Sequence, residues 1–216
     1  MSASTCTVGI LGAGKLGITL ARLAADAGYT VLIHARPNPL RELTVSTLVP
    51  SATLVPFDDL ITQSDLLILA IPHGAISDFD LSGVRGVIID ATNPWEATGA
   101  DAGETIIPPA QTYPDLPIAR TLNHISYEEL SADAVLRPVG SEGSGADGSG
   151  RLRRAVAVWS NNPQAREVAS AFVDHIGFDP VLISETDTAL FNADGRLFGA
   201  WLSADELREQ LRAAEF

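Results

Sequence analysis

The sequence predicts a Rossmann-like α/β fold, a doubly wound and mainly parallel sheet with helices on both faces. Three observations predict it. Short apolar runs recur at Cys6–Leu11, Thr30–Ala35, Leu66–Ile71, Val84–Asp90, Pro117–Leu122, Arg153–Trp159 and Phe178–Ile183. Helical or turn-rich segments separate them at the spacing that βαβ units need. The first run opens directly into Gly12-Ala13-Gly14-Lys15-Leu16-Gly17, which fits G-x-G-x-x-G, and Ile18–Ala27 continues at helical spacing.

Taken in order, residues 6–11 read as the first strand and 15–27 as the first helix, with Gly28 as its C′ glycine. Thr30–Ala35 is apolar and β-branched throughout, as a strand covered on both faces requires. Pro37 and Pro39 delay the next helix to Pro39 or Leu40. A short strand at Thr53–Val55 and a brief helix at Phe57–Gln63 lead to the strand at 66–71, which stops at Pro72. A short helix at Ala75–Phe79 crosses to the strand at 84–90, and 96–116 reads as a loop. After the strand at 117–122, Tyr127–Leu130 forms a short helix. Asn162 caps a helix that begins at Pro163, runs to about Ile176 and closes at Gly177. Ser203-Ala204-Asp205-Glu206 is a capping box for the last helix, with Leu207 and Leu211 on its buried side.

At 216 residues with 46% hydrophobic content, the chain can build one generous core. We expect a single domain, because the strands after residue 150 can extend the same sheet, and a flexible acidic surface loop at 140–150. No run approaches the ~18–20 apolar residues of a membrane span. The start of the chain has no signal-like apolar segment, and Cys6 reads as a buried structural thiol, which together predict a cytoplasmic protein. The net charge of −13 argues against nucleic acid or an anionic membrane as partner.

Each glycine of the fingerprint has a mechanical task. Gly12 permits the tight turn, Gly14 lets a pyrophosphate approach the backbone, and Gly17 lets the helix pack on its strand. The helix N-terminus then faces the phosphates. NAD-selective sites place Asp or Glu at the end of the second strand to hold the ribose 2′-hydroxyl. Here that strand ends His34-Ala35-Arg36, and no acid follows until Glu42. Arg36 can bind a 2′-phosphate through two parallel hydrogen bonds, so we expect NADP(H), with Lys15, Arg36 and Arg41 offsetting the negative field of the chain.

Ligands of open α/β sheets lie outside the carboxyl ends of the strands. Ile71, Pro72, His73, Thr92, Asn93, Pro94, Asn123, His124 and Ile125 all follow predicted strands there. Ile71 and Pro72 are expected to pack on ribose and nicotinamide, and Thr92 and Asn93 to hydrogen-bond the cofactor. Asn123, His124 and Ile125 are expected beside the acceptor. His34 reads as structural near the adenine, and His175 as a surface residue complementing a helix C-terminus. The histidines are widely spaced without accompanying ligands, so no metal site is expected. His73 and His124 are the candidate proton donors for a carbonyl or imine substrate, with Tyr113 and Tyr127 behind them.

With these residues in hand, the chain resembles the F420-dependent NADP oxidoreductase family, and is similar also to the cytosolic reductase domain of the STEAP metalloreductases. The resemblance rests on Gly12–Gly17, His34-Ala35-Arg36, Leu69–His73, Ile89–Pro94, Thr121–Ile125, Gly177-Phe178-Asp179 and Ala204–Leu207. It implies a Rossmann-like domain, NADP across the strand ends, and hydride exchange with F420 or a flavin-like acceptor, commonly in a homodimer. Such ring-to-ring transfer requires neither metal nor covalent nucleophile. Two other readings stay open: an NADPH-dependent reductase of a small carbonyl or imine, and a non-catalytic NADP-binding regulatory module.

Overall fold

A computed structural model of the chain describes residues 6–94, 109–135 and 152–214. Eight strands form one sheet: β1 (Thr7–Leu11), β2 (Thr30–His34), β3 (Thr53–Leu54), β4 (Leu66–Leu69), β5 (Val87–Asp90), β6 (Ile118–Thr121), β7 (Ala155–Trp159) and β8 (Asp179–Leu182). Their order is β3-β2-β1-β4-β5-β6-β7-β8. Every neighbouring pair is parallel except β6 with β7. The helices are α1 (Lys15–Asp26), α2 (Pro39–Leu48), α3 (Phe57–Gln63), α4 (Pro109–Thr112), α5 (Tyr127–Asp133), α6 (Pro163–His175) and α7 (Ala204–Ala214).

Alternation along the strands divides the core between the two faces. Val8, Ile10, Leu66, Ile68 and Ile89 join α1 and α6 side chains such as Leu20 and Phe172 on one face. Leu11, Leu67, Leu69 and Ile88 pack on Leu60 and Ile61 of α3 on the other. A third cluster joins Ala155 and Ala157 of β7 to Leu207 of α7. The order reverses between β1 and β4, which opens the crevice where doubly wound sheets take their ligands.

The helix ends follow the capping residues of the sequence. Gly28 donates to Ala25 O and Tyr29 to Ala24 O, closing α1 with a Schellman arrangement. Asn38 caps α2 ahead of Pro39, and Asn162 caps α6 ahead of Pro163. Ser203 and Glu206 form the reciprocal bonds expected at α7. Ser126 and Glu129 build a second capping box at α5 that the sequence reading had passed over.

Four local expectations are corrected. β5 starts at Val87, not Val84: a 3₁₀ turn runs over Leu81–Gly83, and the chain from Val84 to a bend at Gly86, pressed against the Asp65 carbonyl, is irregular. Residues 109–112 of the expected 96–116 loop form α4, while 95–108 lie outside the described residues. His73–Asp78 is a 3₁₀ turn, and a further one runs over Thr186–Phe191 where no element had been expected. His175 does stand at the C-terminal end of α6, but it is half-buried rather than a plain surface residue: its Nδ1 is hydrogen-bonded to the Tyr29 hydroxyl, and the rings lie 5.8 Å apart. The expected 140–150 loop falls outside the described residues.

Two buried arginines join the last two strands to the sheet. Arg153 reaches Asp174 at 2.6 Å and Asp179 at 3.1 Å. Arg154 reaches Asp133 at 2.8 Å and Glu129 at 3.2 Å, and donates to the Gly199 and Ala200 carbonyls. Both guanidinium groups are fully buried, so these pairs fix α5 and α6 against β7. Cys6 is a buried free thiol, and burial holds its pKa above the ordinary value.

Candidate dinucleotide site

The glycine loop joins β1 to α1 with the geometry its spacing predicts. Gly12 has φ +116°, and a Cβ there would stand 2.4 Å from the Ala70 carbonyl oxygen of the β4 end. A Cβ at Gly17 would lie 2.0 Å from the Gly12 carbonyl oxygen, so only glycine lets α1 sit this close to the turn. Gly14 differs, for its Cβ position is open, with nothing among the described residues within 4 Å. No side chain caps α1, whose N-cap is Gly14 itself. Backbone N–H groups at an uncapped helix start, next to open space, suit a pyrophosphate.

Two adjoining cavities continue from this loop. One, of about 340 Å³, runs from Gly12, Ala13 and Gly14 past Ala35, Arg36 and Arg41 to Ile71, Pro72, Ala75 and Phe79. The second, of about 440 Å³, shares His34, Ala35, Arg36 and Arg41 and is closed by Asn38, Glu42, Val55 and Phe57. His34 donates from Nδ1 to the Val55 carbonyl at 3.0 Å and lies edge-on to Phe57 and Phe79. This aromatic wall and the two arginines thus border the same cleft. Arg36 is exposed and donates to Asp78 of the 3₁₀ turn at 2.7 Å, across the cleft mouth.

Lys15, placed by the sequence with the phosphates, reaches elsewhere. Its ammonium donates to the Tyr127 hydroxyl at 2.9 Å and lies 5.0 Å from the ring centroid, tying α1 to α5. That bond raises the Lys15 pKa above its ordinary value. Leu16 and Ile125 pack against the core around α1 and line neither of these two cavities. Tyr113 packs in the core on the α3 side, its hydroxyl accepting from Leu81 N–H.

At the ends of β4, β5 and β6 the remaining candidates converge, and they bond chiefly to one another. His73 Nδ1 is 2.7 Å from Thr92 Oγ1, whose hydroxyl is 2.6 Å from Asp90 Oδ1. Asp90 Oδ1 also accepts from Thr92 N–H at 3.0 Å, and Oδ2 accepts from Arg120 at 3.1 Å. Asn93 donates to the Asn123 carbonyl, and Asn123 returns a bond to Asn93 Oδ1 at 3.3 Å. Leu122 turns the chain there, in the left-handed region at φ +65° with a fully buried side chain. Pro94, half-buried, is the last described residue on this side.

His124 is sealed away from both cavities. Its Nε2 accepts from Ala157 N–H at 3.4 Å, its ring packs edge-on to Phe191, and among the described residues Nδ1 has no partner. Burial, reinforced by Arg154 and Arg120, pushes its pKa down to about 3, so the imidazole is neutral. A neutral ring of this kind fits a core histidine better than an acid. The sequence reading missed Phe79, Asp78, Asp90 and Arg120; the acid ending β5 just before Thr92-Asn93 was the available signal for Asp90.

Among the described residues, no group of three or more His, Cys, Asp or Glu is placed to hold a metal ion. No helix among them is long and apolar enough to cross a membrane.

Comparison with known proteins agrees with this geometry. Residues 7–94 match the family model described as NADP oxidoreductase, coenzyme F420-dependent. No curated protein matches the chain. In fold the chain is similar to the hypothetical protein SMa0349 of Sinorhizobium meliloti, with TM-score 0.70 and 21% identity over 93% of this chain and 96% of that one. It is similar also to a candidate F420-dependent NADP reductase of Arthrobacter sp. FB24, with TM-score 0.61 and 20% identity over 84% and 86% of the two chains. A third similar structure is 1-pyrroline-5-carboxylate reductase of Streptococcus pyogenes, with TM-score 0.59 and 17% identity over 86% of this chain and 61% of that one. Over residues 7–94, which hold the glycine loop and β1 to β5, the chain is thus similar to the coenzyme F420-dependent NADP oxidoreductase family, a family of NAD(P)-dependent oxidoreductases, and the doubly wound sheet agrees with that match.

Proposed function

We propose that the protein is an NADP(H)-dependent oxidoreductase that moves a hydride between NADPH and F420 or a flavin-like acceptor. The observation that carries this reading is the arginine pair, Arg36 and Arg41, on the wall shared by two cavities that adjoin an open glycine loop. The end of β2 offers no carboxylate to a ribose 2′-hydroxyl, and Arg36 offers charge and two parallel donors to a 2′-phosphate.

When bound, the nicotinamide supplies the hydride. Residues of this chain anchor and align it. Gly14 leaves the backbone open to the pyrophosphate, and the α1 N-terminus supplies N–H donors. His34, Phe57 and Phe79 give the adenine an apolar wall. With adenosine held beyond β2, the second half of the doubly wound sheet receives the nicotinamide at the β4 and β5 ends, where Ile71 and Pro72 line the cleft. Holding two flat rings at near-attack distance supplies most of what such a transfer needs.

Reduction of a small carbonyl or imine is the second reading. It is favoured by the buried His73–Thr92–Asp90 chain and by fold similarity to a pyrroline-carboxylate reductase, of which this chain spans 61%. A non-catalytic NADP-binding module is the third reading, and it predicts binding without turnover. Following NADPH and NADH oxidation by absorbance against F420, FMN, FAD and cyclic imines separates the three. Turnover with F420 or a flavin, selective for NADPH, is expected. Turnover with imines alone, or none with any acceptor, would displace the reading.

A further inference from the structure

We propose that His73 is the proton donor to the reduced acceptor through Nε2, and that Thr92, Asp90 and Arg120 are positioning residues that fix its tautomer. The inference deepens the oxidoreductase reading above and rests on it.

The argument is a count of protons. Thr92 has one hydroxyl hydrogen and two lone pairs. Asp90 Oδ1, 2.6 Å away, is an acceptor that also takes Thr92 N–H, while Oδ2 takes an Arg120 N–H. The hydroxyl hydrogen is therefore committed to Asp90, and toward His73, 2.7 Å away, Thr92 Oγ1 can only accept. Nδ1 must carry a hydrogen. Arg120 is itself held by the Thr92 carbonyl at 3.2 Å and Asn192 Oδ1 at 3.4 Å, so the chain is anchored on three elements.

Nε2 is then the ring nitrogen left for chemistry. Among the described residues it has no hydrogen-bond partner, and it is not among the buried orphan atoms, which are His124 Nδ1, Arg153 Nε, Arg154 Nε and Ser170 Oγ. His73 is the residue after Pro72, which lines the cleft, and only 6% of it is exposed. A histidine positioned at the β4 end stands on the nicotinamide side of the site.

The proton balance closes. The hydride brings two electrons to the acceptor carbon, oxidising the nicotinamide and leaving negative charge on an acceptor ring nitrogen or oxygen. The Nε2–H bond of the imidazolium breaks, and the new N–H or O–H bond forms on the acceptor. The neutral imidazole left behind carries its hydrogen on Nδ1, the tautomer that Thr92 stabilises, and water restores the proton to Nε2.

The test pairs ¹⁵N NMR of the His73 ring with turnover. In the cofactor-free protein at a pH where His73 is neutral, the ¹⁵N shifts are expected to report Nδ1–H, and Thr92→Val to yield a mixture of tautomers. An Asn side chain replaces Nδ1 but not Nε2. His73→Asn is thus expected to keep the Thr92 bond and NADPH affinity within about threefold, yet lose about 100-fold or more in kcat. Thr92→Val is expected to lose about 10–100-fold, the cost of losing a partner that orients a histidine. An Nε2–H tautomer in the wild type, or full turnover by His73→Asn, would overturn the proposal. If none of the acceptors supports NADPH oxidation by the wild type, the functional reading fails by itself. His73 is then judged by NMR alone, on whether NADP⁺ shifts Nε2 while Nδ1 stays fixed: a shift upholds its place at the site, and no shift overturns it.

Discussion

Replacing Arg36 with alanine tests the adenosine end of the site. In the cofactor-free protein Arg36 donates to Asp78 at 2.7 Å, with side-chain exposures of 69% and 56%. A hydrogen bond to a charged group contributes roughly 1.5–3 kcal/mol, and solvent screening at this exposure favours the lower end. Releasing Arg36 from Asp78 costs about 0.2–1 kcal/mol. The net preference for the 2′-phosphate is therefore about 0.5–1.3 kcal/mol, or roughly 2–9-fold in Kd. Isothermal titration at fixed moderate salt should show Arg36→Ala weakening NADPH by that factor while NADH stays within about twofold. Asp78→Asn removes the competitor for Arg36 and should tighten NADPH by about 1.5–5-fold without moving NADH. Titrations with 2′,5′-ADP and 5′-AMP should reproduce the contrast in fragments. Equal loss of both cofactors in Arg36→Ala, or a wild type that binds NADH as tightly as NADPH, would refute the reasoning.

Three further outcomes follow from the packing. Gly14→Ala should leave the melting temperature unchanged, because its Cβ meets open space, yet abolish tight NADPH binding; Gly12→Ala, whose Cβ would stand 2.4 Å from a backbone oxygen, should lose about 2 kcal/mol or more of stability. His124 is neutral when folded, with its pKa near 3 against about 6.5 unfolded, so below pH 6.5 the unfolded state binds the extra proton. Its contribution is intact above that pH and falls by about 1.4 kcal/mol per unit down toward pH 3. Urea denaturation at pH 7, 6 and 5 should therefore show a steeper loss in the wild type than in His124→Gln, and parallel slopes would contradict it. Arg154→Met leaves Asp133 and Glu129 without their buried partner and should cost about 2–4 kcal/mol, read as a lower urea midpoint with unchanged m.

Much of the fold was legible because its signals are local. The apolar runs place every strand within a few residues, and Asn38, Asn162, Ser203 and Gly28 mark helix ends through side chains or turns next to them. Val84-Arg85-Gly86 misled because its composition suits a strand, whereas the segment is irregular and ends in a bend at Gly86, whose Cβ would lie 2.2 Å from the Asp65 carbonyl oxygen. The glycine loop could be read for the same local reason.

The polar partners could not be read, because they are separated in sequence. Arg36 meets Asp78, Lys15 meets Tyr127, and Asp90 meets Arg120 only after the sheet has assembled. His73 and His124 looked equivalent as histidines following strands. Burial separates them: one ring is held by a hydroxyl next to the cleft, the other is enclosed against Phe191 and Ala157.

The central claim is direct hydride transfer from a cofactor held at this site. NADPH deuterated in turn on each face of nicotinamide C4 should be mixed with F420 and the protein, and the product analysed by mass spectrometry and NMR. The account predicts label at C5 of the reduced deazaflavin from one face only and none in solvent. Label released to water, transfer from both faces alike, or an acceptor left unreduced while NADPH binds would contradict it.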